Sequence, residues 1–257
     1  MKQQNLYWRF WLLLGLSLFL AHTPTLSWFF APLNELAVSI HELSHAFMCL
    51  ATGGQINGLT IVPDNSGHGG LTYCLGGNDF LITQAGYLGT AIIGCLLIFL
   101  SQFPKLARAI LFVLGIGLGL TGLIFTGANL FAASGLVSNL ASLCWSLALC
   151  TLCLFGAFKL KPNSAHLLLL FIAINIAFDS IDSIATLLEV SFAGLTNKQI
   201  SYSDASAMAA ITGIPAIVWS LLWIIFSVLA VVWTVWQIYG PRRSKPKISI
   251  KTKAFSI

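Results

Sequence analysis

Charged residues are what this sequence has least of: only 8% of its 257 residues are Asp, Glu, Lys or Arg, whereas 57% are apolar. A soluble protein carries about 25% charged residues. A soluble fold of this length could not hide so much apolar surface from water, but a lipid bilayer can. The composition therefore excludes an ordinary soluble protein and predicts an integral, multi-pass membrane protein, in the plasma or inner membrane.

The few charges that exist are unevenly distributed. The net charge of +5 arises largely from a basic C-terminal tail, with cations at Arg242, Arg243, Lys245, Lys247, Lys251 and Lys253. Such a cluster beside a membrane span is typical of a cytoplasmic segment that contacts anionic lipid headgroups. Because the tail contains no nucleic-acid motif, we expect membrane lipid as a partner and no nucleic acid.

Cysteine patterns that would indicate a metal or redox site are also missing. Five of the six cysteines lie in apolar runs, where Cys usually behaves as a small hydrophobic residue. Cys150 and Cys153 have C-x-x-C spacing but no second pair, which argues against a zinc knuckle or a thioredoxin-type site.

Apolar stretches near the 20 residues that cross a bilayer recur along the chain. They predict an all-α membrane protein, a polytopic bundle of six or seven transmembrane helices, with spans at 8–22, 28–51, 81–102, 107–128, 138–158, 166–188 and 213–239. The count depends on whether 8–33 forms one kinked span. We expect a single membrane-embedded domain over 1–257, divided into an N-terminal span (1–27), a core (28–239) and the tail (240–257).

Two segments are too polar to be spans. Residues 52–80 contain two strand-like runs around Pro63-Asp64-Asn65-Ser66-Gly67, which predicts a small β-hairpin. Residues 191–212 predict a polar loop, with a helix start at Ser203-Asp204.

The orientation of the bundle stays open. In a seven-span count, the basic residues at 105–108 and 159–161 share one face with the tail, and the positive-inside rule assigns that face to the cytoplasm. The same count places Lys2 and Arg9 on the other face, against the rule.

The pentapeptide His41-Glu42-Leu43-Ser44-His45 stands out in the span 28–51. Histidines four residues apart project from one helix face, where two imidazoles can share a zinc ion. Glu42 then lies where it could accept a proton from a water activated by the metal. The alternative, histidines packed without a metal, is costly in hydrocarbon, because ionisable groups there need partners.

Catalytic zinc usually has three protein ligands, so another span must supply one. Asp179 and Asp182 are the only carboxylates well inside another span, and with Asn175 they share a helical face. One Asp would ligate the metal, and the other would orient a ligand together with Asn175. His68, in the predicted hairpin turn, is a weaker candidate.

These residues belong to a longer pattern that resembles the M50B-like peptidases, relatives of the site-2 intramembrane metalloproteases. The similarity runs from about residue 28 to 235 and includes His41–Ala46, Thr52-Gly53-Gly54, Pro63–Gly67, Ala85-Gly86-Tyr87-Leu88-Gly89, Asn175-x-x-x-Asp179, Ser203-Asp204-Ala205, Thr212–Ala216, Trp219 and Trp223.

The resemblance implies a zinc site with His41 and His45 as ligands and Glu42 as the catalytic acid and base. Site-2 proteases take the third ligand from an Asp-Gly motif on a later span. This chain lacks that Gly, which leaves Asp179 and Asp182 as alternatives, and the Asn-x-x-x-Asp spacing favours Asp179.

The expected activity is that of a zinc metalloendopeptidase with one Zn²⁺ per chain, which cleaves transmembrane or membrane-associated protein substrates. A substrate strand would add to an edge of the 56–74 hairpin. The alternative is a catalytically inactive zinc-binding membrane protein that acts as a pseudoprotease or binds partners. A closed four-ligand shell, completed by Asp182 or His68, would favour it, whereas Glu42 argues against it. A transporter is a third reading, made poor by the absence of charge in 138–158.

Overall fold

The computed structural model describes residues 3–21, 23, 31–60, 70–127, 136–197 and 203–240. His68, the turn at 63–67, Lys2 and the basic tail lie outside them. The described elements, in chain order, are α1 (Gln3–Ala21), α2 (Ala31–Ala51), β1 (Gln55–Thr60), β2 (Leu71–Leu75), α3 (Asp79–Leu100), α4 (Pro104–Thr121), a π-helical turn (Gly122–Gly127), α5 (Leu136–Phe158), α6 (Pro162–Asn197), α7 (Asp204–Thr212) and α8 (Ala216–Tyr239).

Five of the described helices, α3, α4, α5, α6 and α8, are long and apolar enough to cross a membrane. Within α1, Trp8–Leu20 forms a shorter apolar helix. α2, which carries the His-Glu-x-x-His sequence, is not among the five. The prediction of a mostly helical integral membrane protein is confirmed, whereas the count of six or seven spans and the division into three segments stay predictions.

α6 lies at the centre of the bundle. Its residues Leu169, Leu170, Ile172, Ala173 and Ile176 have no exposed surface. Glycines let neighbouring helices approach closely: a Cβ on Gly94 of α3 would lie 2.8 Å from the Cα of Ala177 in α6. Small residues at such crossings are the usual means by which helices pack in lipid, where no hydrophobic force drives them together.

β1 and β2 form the predicted antiparallel hairpin, with an irregularity between Ile56 and Gly58. Successive side chains of a strand point to opposite faces. In β2 the side chains of Leu71, Tyr73 and Leu75 are exposed, whereas those of Thr72 and Cys74 are partly buried. The hairpin therefore presents Thr72 and Cys74 to the rest of the molecule.

Cys74 forms a disulfide with Cys49, close to the end of α2. The interpretation of Cys49, one of the five cysteines in apolar runs, as a small hydrophobic residue is therefore wrong. Sequence could not join them, because 25 residues separate them and only the folding of the hairpin against α2 brings them together. Gly54 packs directly on the bridge, since a Cβ there would lie 2.8 Å from Cys74 Sγ and 2.9 Å from Cys49 Sγ.

Candidate metal centre

α2 brings the two motif histidines to one point, as their spacing predicts. The Nε2 atoms of His41 and His45 are 3.0 Å apart. His45 is buried, and its Nδ1 donates to the carbonyl of Ile82 over 2.7 Å. Because a carbonyl only accepts, this bond fixes the proton of neutral His45 on Nδ1 and leaves Nε2 with a lone pair for a metal.

The carboxylate that meets these imidazoles belongs to Asp204. Its Oδ2 lies 3.1 Å from His41 Nε2 and 3.3 Å from His45 Nε2. Burial would raise the pKa of the Asp204 carboxyl, but His41 and His45, when protonated, outweigh it through hydrogen bonds and charge and lower that pKa below its ordinary value. Asp204 therefore stays ionised beside the two histidines, in the form that binds metals.

The first turn of α7 fixes the position of Asp204. Ser203 caps the helix: its hydroxyl accepts from the backbone N–H of Ser206, whose own hydroxyl accepts from the backbone N–H of Ser203. This reciprocal cap satisfies amides that a helix end leaves unpaired. Asp204 follows at once, where its negative charge also suits the N-terminal end of the helix dipole.

The far end of α7 is anchored on α8. The helix ends at Gly213, whose positive φ of 72° suits a residue without a side chain. Trp219 then donates from Nε1 to the hydroxyl of Thr212 over 3.1 Å. The Thr212–Ala216 motif is thus the corner that docks α7 onto the bundle and brings its first turn to α2.

Asp179, the carboxylate that the sequence favours, is not brought into this group. Its Oδ2 accepts from the hydroxyl of Ser183 over 3.2 Å, one turn further along α6. Asp182 is exposed, and Asn175 donates to the carbonyl of Phe171 over 2.7 Å. The geometry thus places Asp204 where the sequence places Asp179, because α7 packs on α3 and α8 with its first turn beside the α2 histidines, whereas Asp179 and Asn175 are bonded within α6.

Glu42 is buried next to the two imidazoles, with 5% of its surface exposed. The hydroxyl of Thr72 donates to Glu42 Oε2 over 2.6 Å and lies 3.1 Å from the Glu42 backbone carbonyl. A carboxylate buried without partners would be costly. The hairpin therefore supplies the hydrogen bond that holds this carboxylate in place.

Gly86 lets the α3 backbone approach the two motif imidazoles closely. A Cβ at this position would collide with the Nε2 atoms of both His41 and His45. The neighbouring Tyr87 packs its ring edge-on to His41, with centroids 4.6 Å apart, and stacks on Trp223. The Ala85–Gly89 motif therefore provides both a position without a side chain against the imidazoles and an aromatic support for His41.

The three donor atoms fit a zinc ion. Ligands held tetrahedrally at about 2.0–2.1 Å from zinc lie about 3.3 Å from one another, and the distances here are 3.0, 3.1 and 3.3 Å. Among the described residues the group contains His41, His45 and Asp204 and no fourth ligand. Three protein ligands leave a position for water or substrate, as in catalytic rather than structural zinc sites, so the pseudoprotease alternative is not favoured.

Sequence reasoning missed Asp204 as a ligand because its place after Ser203 already explains it as a helix start. The available signal was the Ser203-Asp204-Ala205 motif within the family resemblance, since a polar loop otherwise gives no indication of what it contacts.

The family comparison agrees with this geometry. The family model for Peptidase M50B-like matches residues 11–234, which include all three metal-binding candidates and Glu42. No curated protein and no solved structure matches the chain significantly. With the match extending over most of its length, the chain belongs to the M50B-like peptidase family.

Proposed function

We propose that this protein is a membrane-embedded zinc metalloendopeptidase that cleaves peptide bonds of membrane-associated proteins. The observation that carries the proposal is the convergence of His41 Nε2, His45 Nε2 and Asp204 Oδ2 within 3.3 Å, beside the buried carboxylate of Glu42. Family membership supports the reaction class. The zinc, its activity on peptide bonds and the kind of substrate are parts of the proposal.

His41, His45 and Asp204 would hold the zinc ion. When bound there, zinc supplies Lewis acidity, which polarises the carbonyl under attack and makes a water molecule more acidic. The protein's own contribution is the placement of its three donors. The Nδ1 bond of His45, the Tyr87 ring against His41 and the Ser203 cap before Asp204 each fix one of them.

Glu42 is the general base in this proposal. It accepts a proton from the attacking water and later donates it to the leaving amine. Thr72 donates to Oε2, so that oxygen is already bonded while Oε1 remains for the proton. Side-chain exposures of 19% for His41 and 26% for Asp204 leave an approach to the same point.

A substrate strand would bind along the hairpin that carries Thr72. Extended peptides add to exposed sheet edges through main-chain hydrogen bonds. The exposed side chains of Ile56, Leu71, Tyr73 and Leu75 make this hairpin apolar on its outer surface. It therefore suits a segment unwound from a membrane helix, with the scissile bond near Thr72 and Glu42.

The test separates metal binding from catalysis. In purified protein assayed with a library of quenched fluorescent peptides, Glu42→Gln should keep one zinc per chain and lose cleavage by at least about 100-fold, the contribution of a general base. Glu189→Gln, which changes an exposed glutamate on α6, is the matched control and should keep both. Undiminished cleavage by Glu42→Gln would refute the proposal.

A further inference from the structure

The described basic residues gather at one end of the helical bundle. Arg9, Lys105, Arg108, Lys159 and Lys161 are the only lysines and arginines in the described part of the chain. Arg108, near the start of α4, donates from Nε over 3.0 Å to the carbonyl of Leu160, between α5 and α6. This hydrogen bond joins the two connections at one end of the bundle. We call this the basic end.

Arg9 lies at the basic end as well. The ring of Phe10 packs on that of Tyr239, the last residue of α8, with centroids 4.8 Å apart. The start of α1 is therefore beside the end of α8, after which the sequence continues into the basic tail. The seven-span count, which was left open, would place Arg9 away from the other cations, whereas in the structure α1 begins at the same end of the bundle as they do.

The metal-site candidates lie at the opposite end. α3 begins there, with Phe80 packed edge-on against Trp219 near the start of α8, at 5.8 Å between centroids. The late part of α6 reaches the same level, where the hydroxyls of Ser191 and Ser220 are 3.1 Å apart. His45 meets Ile82 in the first turn of α3. We call this the site end, and it includes the hairpin and α7.

The site end also contains the disulfide. Cys49 is near the C-terminus of α2 and Cys74 is in β2, with Cα atoms 6.1 Å apart. Disulfides form and persist in oxidising compartments and are rare where cytosolic thiols keep cysteines reduced. Basic residues beside membrane spans accumulate on the cytoplasmic side. Charge and disulfide are independent indicators, and they assign the two ends to opposite sides of the membrane.

We propose that the site end faces the disulfide-forming side of the membrane, so that the candidate metal centre receives its substrate from outside the cytoplasm. The inference rests on the proposed function and names its substrate class. The substrates are segments of membrane proteins where the chain leaves the bilayer on the extracytoplasmic side. Among the described residues, no lysine or arginine lies at the site end.

The disulfide also has a local role in this arrangement. Thr72 and Cys74 share one face of β2, and both are bonded to α2, through Glu42 and Cys49 respectively. The covalent bond therefore fixes the strand on the helix two residues from the hydrogen bond that holds the base. Oxidation completes this attachment only after the site end has crossed the membrane, so the site is assembled in the compartment where it works.

The orientation is tested by thiol labelling in a Gram-negative bacterial host. The starting variant replaces the free cysteines Cys95, Cys144, Cys150 and Cys153 by alanine and retains the disulfide. Asn57→Cys introduces an exposed thiol in the hairpin, and Lys105→Cys introduces an exposed thiol at the basic end. A membrane-impermeant maleimide should label Asn57→Cys in cells with a permeabilised outer membrane and label Lys105→Cys only after lysis.

Labelling of Lys105→Cys before lysis, or of Asn57→Cys only after it, overturns the orientation. The disulfide is tested in the starting variant by denaturing the protein and adding a polymer-linked maleimide. No mass shift is expected before reduction and a two-polymer shift after it. Two reactive thiols before reduction contradict the oxidised pair. Should the four replacements prevent folding, a phosphatase that is active only outside the cytoplasm is fused after residue 257 of the unaltered chain. Phosphatase activity of this fusion would place the basic end outside the cytoplasm and refute the proposal.

The substrate side is tested separately with a single-span reporter that carries the same unstructured segment on one side of its span or the other. Cleavage should occur only on the extracytoplasmic side and should disappear with Glu42→Gln. Cleavage confined to the cytoplasmic side overturns the inference while preserving the peptidase. If neither reporter is cleaved and the quenched peptides also remain intact, the proposed function fails, whereas the labelling result still decides the orientation.

Discussion

Two regions offer aspartates to the bundle, the middle of α6 and the first turn of α7. In α6, Asp179 is bonded by Ser183 of its own helix, and Asp182 is exposed. In α7, Asp204 is bonded to His41 over 3.1 Å and lies 3.3 Å from His45, and both histidines belong to an element far earlier in the chain. The two regions differ in their partners: Asp179 is bonded within its own helix and Asp182 faces outward, whereas the partners of Asp204 come from α2.

This contrast shows that depth in an apolar segment does not identify a metal ligand by itself. An intramembrane carboxylate must find partners, but serine one turn away can be one. A carboxylate at the start of a helix is common in protein sequences. The packing of a short helix such as α7 can nevertheless place that carboxylate at the candidate metal centre. Substitutions in α6 and α7, and at the α3 and hairpin residues that contact the α2 motif, test this difference.

The largest effect is expected from the α7 aspartate. Asp204→Asn removes the anionic ligand and should lower zinc affinity by more than the roughly 100-fold that loss of an outer partner costs. Asp179→Asn should retain zinc within about 3-fold. Zinc content and affinity are measured by atomic absorption and chelator competition. The reverse ranking, with Asp179→Asn losing its zinc, would restore the ligand set that the sequence favours.

Crowding the two histidines from α3 should have the next largest effect. Gly86→Ala places a Cβ against His41 and His45, and overpacking of this kind costs about 1–3 kcal/mol. The variant should bind zinc at least about 10-fold more weakly. Gly117→Ala is the matched control, because nothing lies within 4 Å of a Cβ at that position of α4. Equal zinc affinity in the two variants would mean that Gly86 does not border the metal.

A smaller effect is expected where the hairpin holds the base. Thr72→Val keeps the shape but removes the donor to Glu42 Oε2. Hydrogen bonds to charged groups contribute about 1.5–3 kcal/mol, so kcat/KM should fall at least about 10-fold with zinc content unchanged. Thr72→Ser retains the hydroxyl and should restore most activity. Loss of zinc in Thr72→Val, or failure of serine to rescue, would show a structural role instead.

The smallest effect is expected at the exposed end of the α6 polar group. Asp182→Asn should change zinc affinity and cleavage by less than about 2-fold, because surface substitutions away from special features change stability by about 0.5 kcal/mol or less. The same peptide assay and metal titration serve as the measurement. A strong loss of zinc affinity or cleavage would show that Asp182 of α6 belongs to the site and would contradict the difference between α6 and α7.

The motif half of the site could be predicted from sequence because it is local. His41 and His45 lie on one face of a helix by its 3.6-residue period, and Glu42 follows from its place beside His41. The hairpin was predictable for a similar reason, since strand-like runs flank a turn. The partner of the base was not: Thr72 reaches Glu42 across the contact between hairpin and helix.

By itself, the sequence determined that the chain is a membrane protein, that a polar hairpin follows its second helix, and that this helix carries two histidines on one face with a glutamate beside the first. Only the tertiary structure decided which carboxylate joins them, which cysteines pair, and that the described lysines and arginines lie at the end away from the site. The physical reason is range. Periodicity and composition act over a few residues, whereas Asp204, Gly86 and Cys74 reach α2 only through the packing of separate elements.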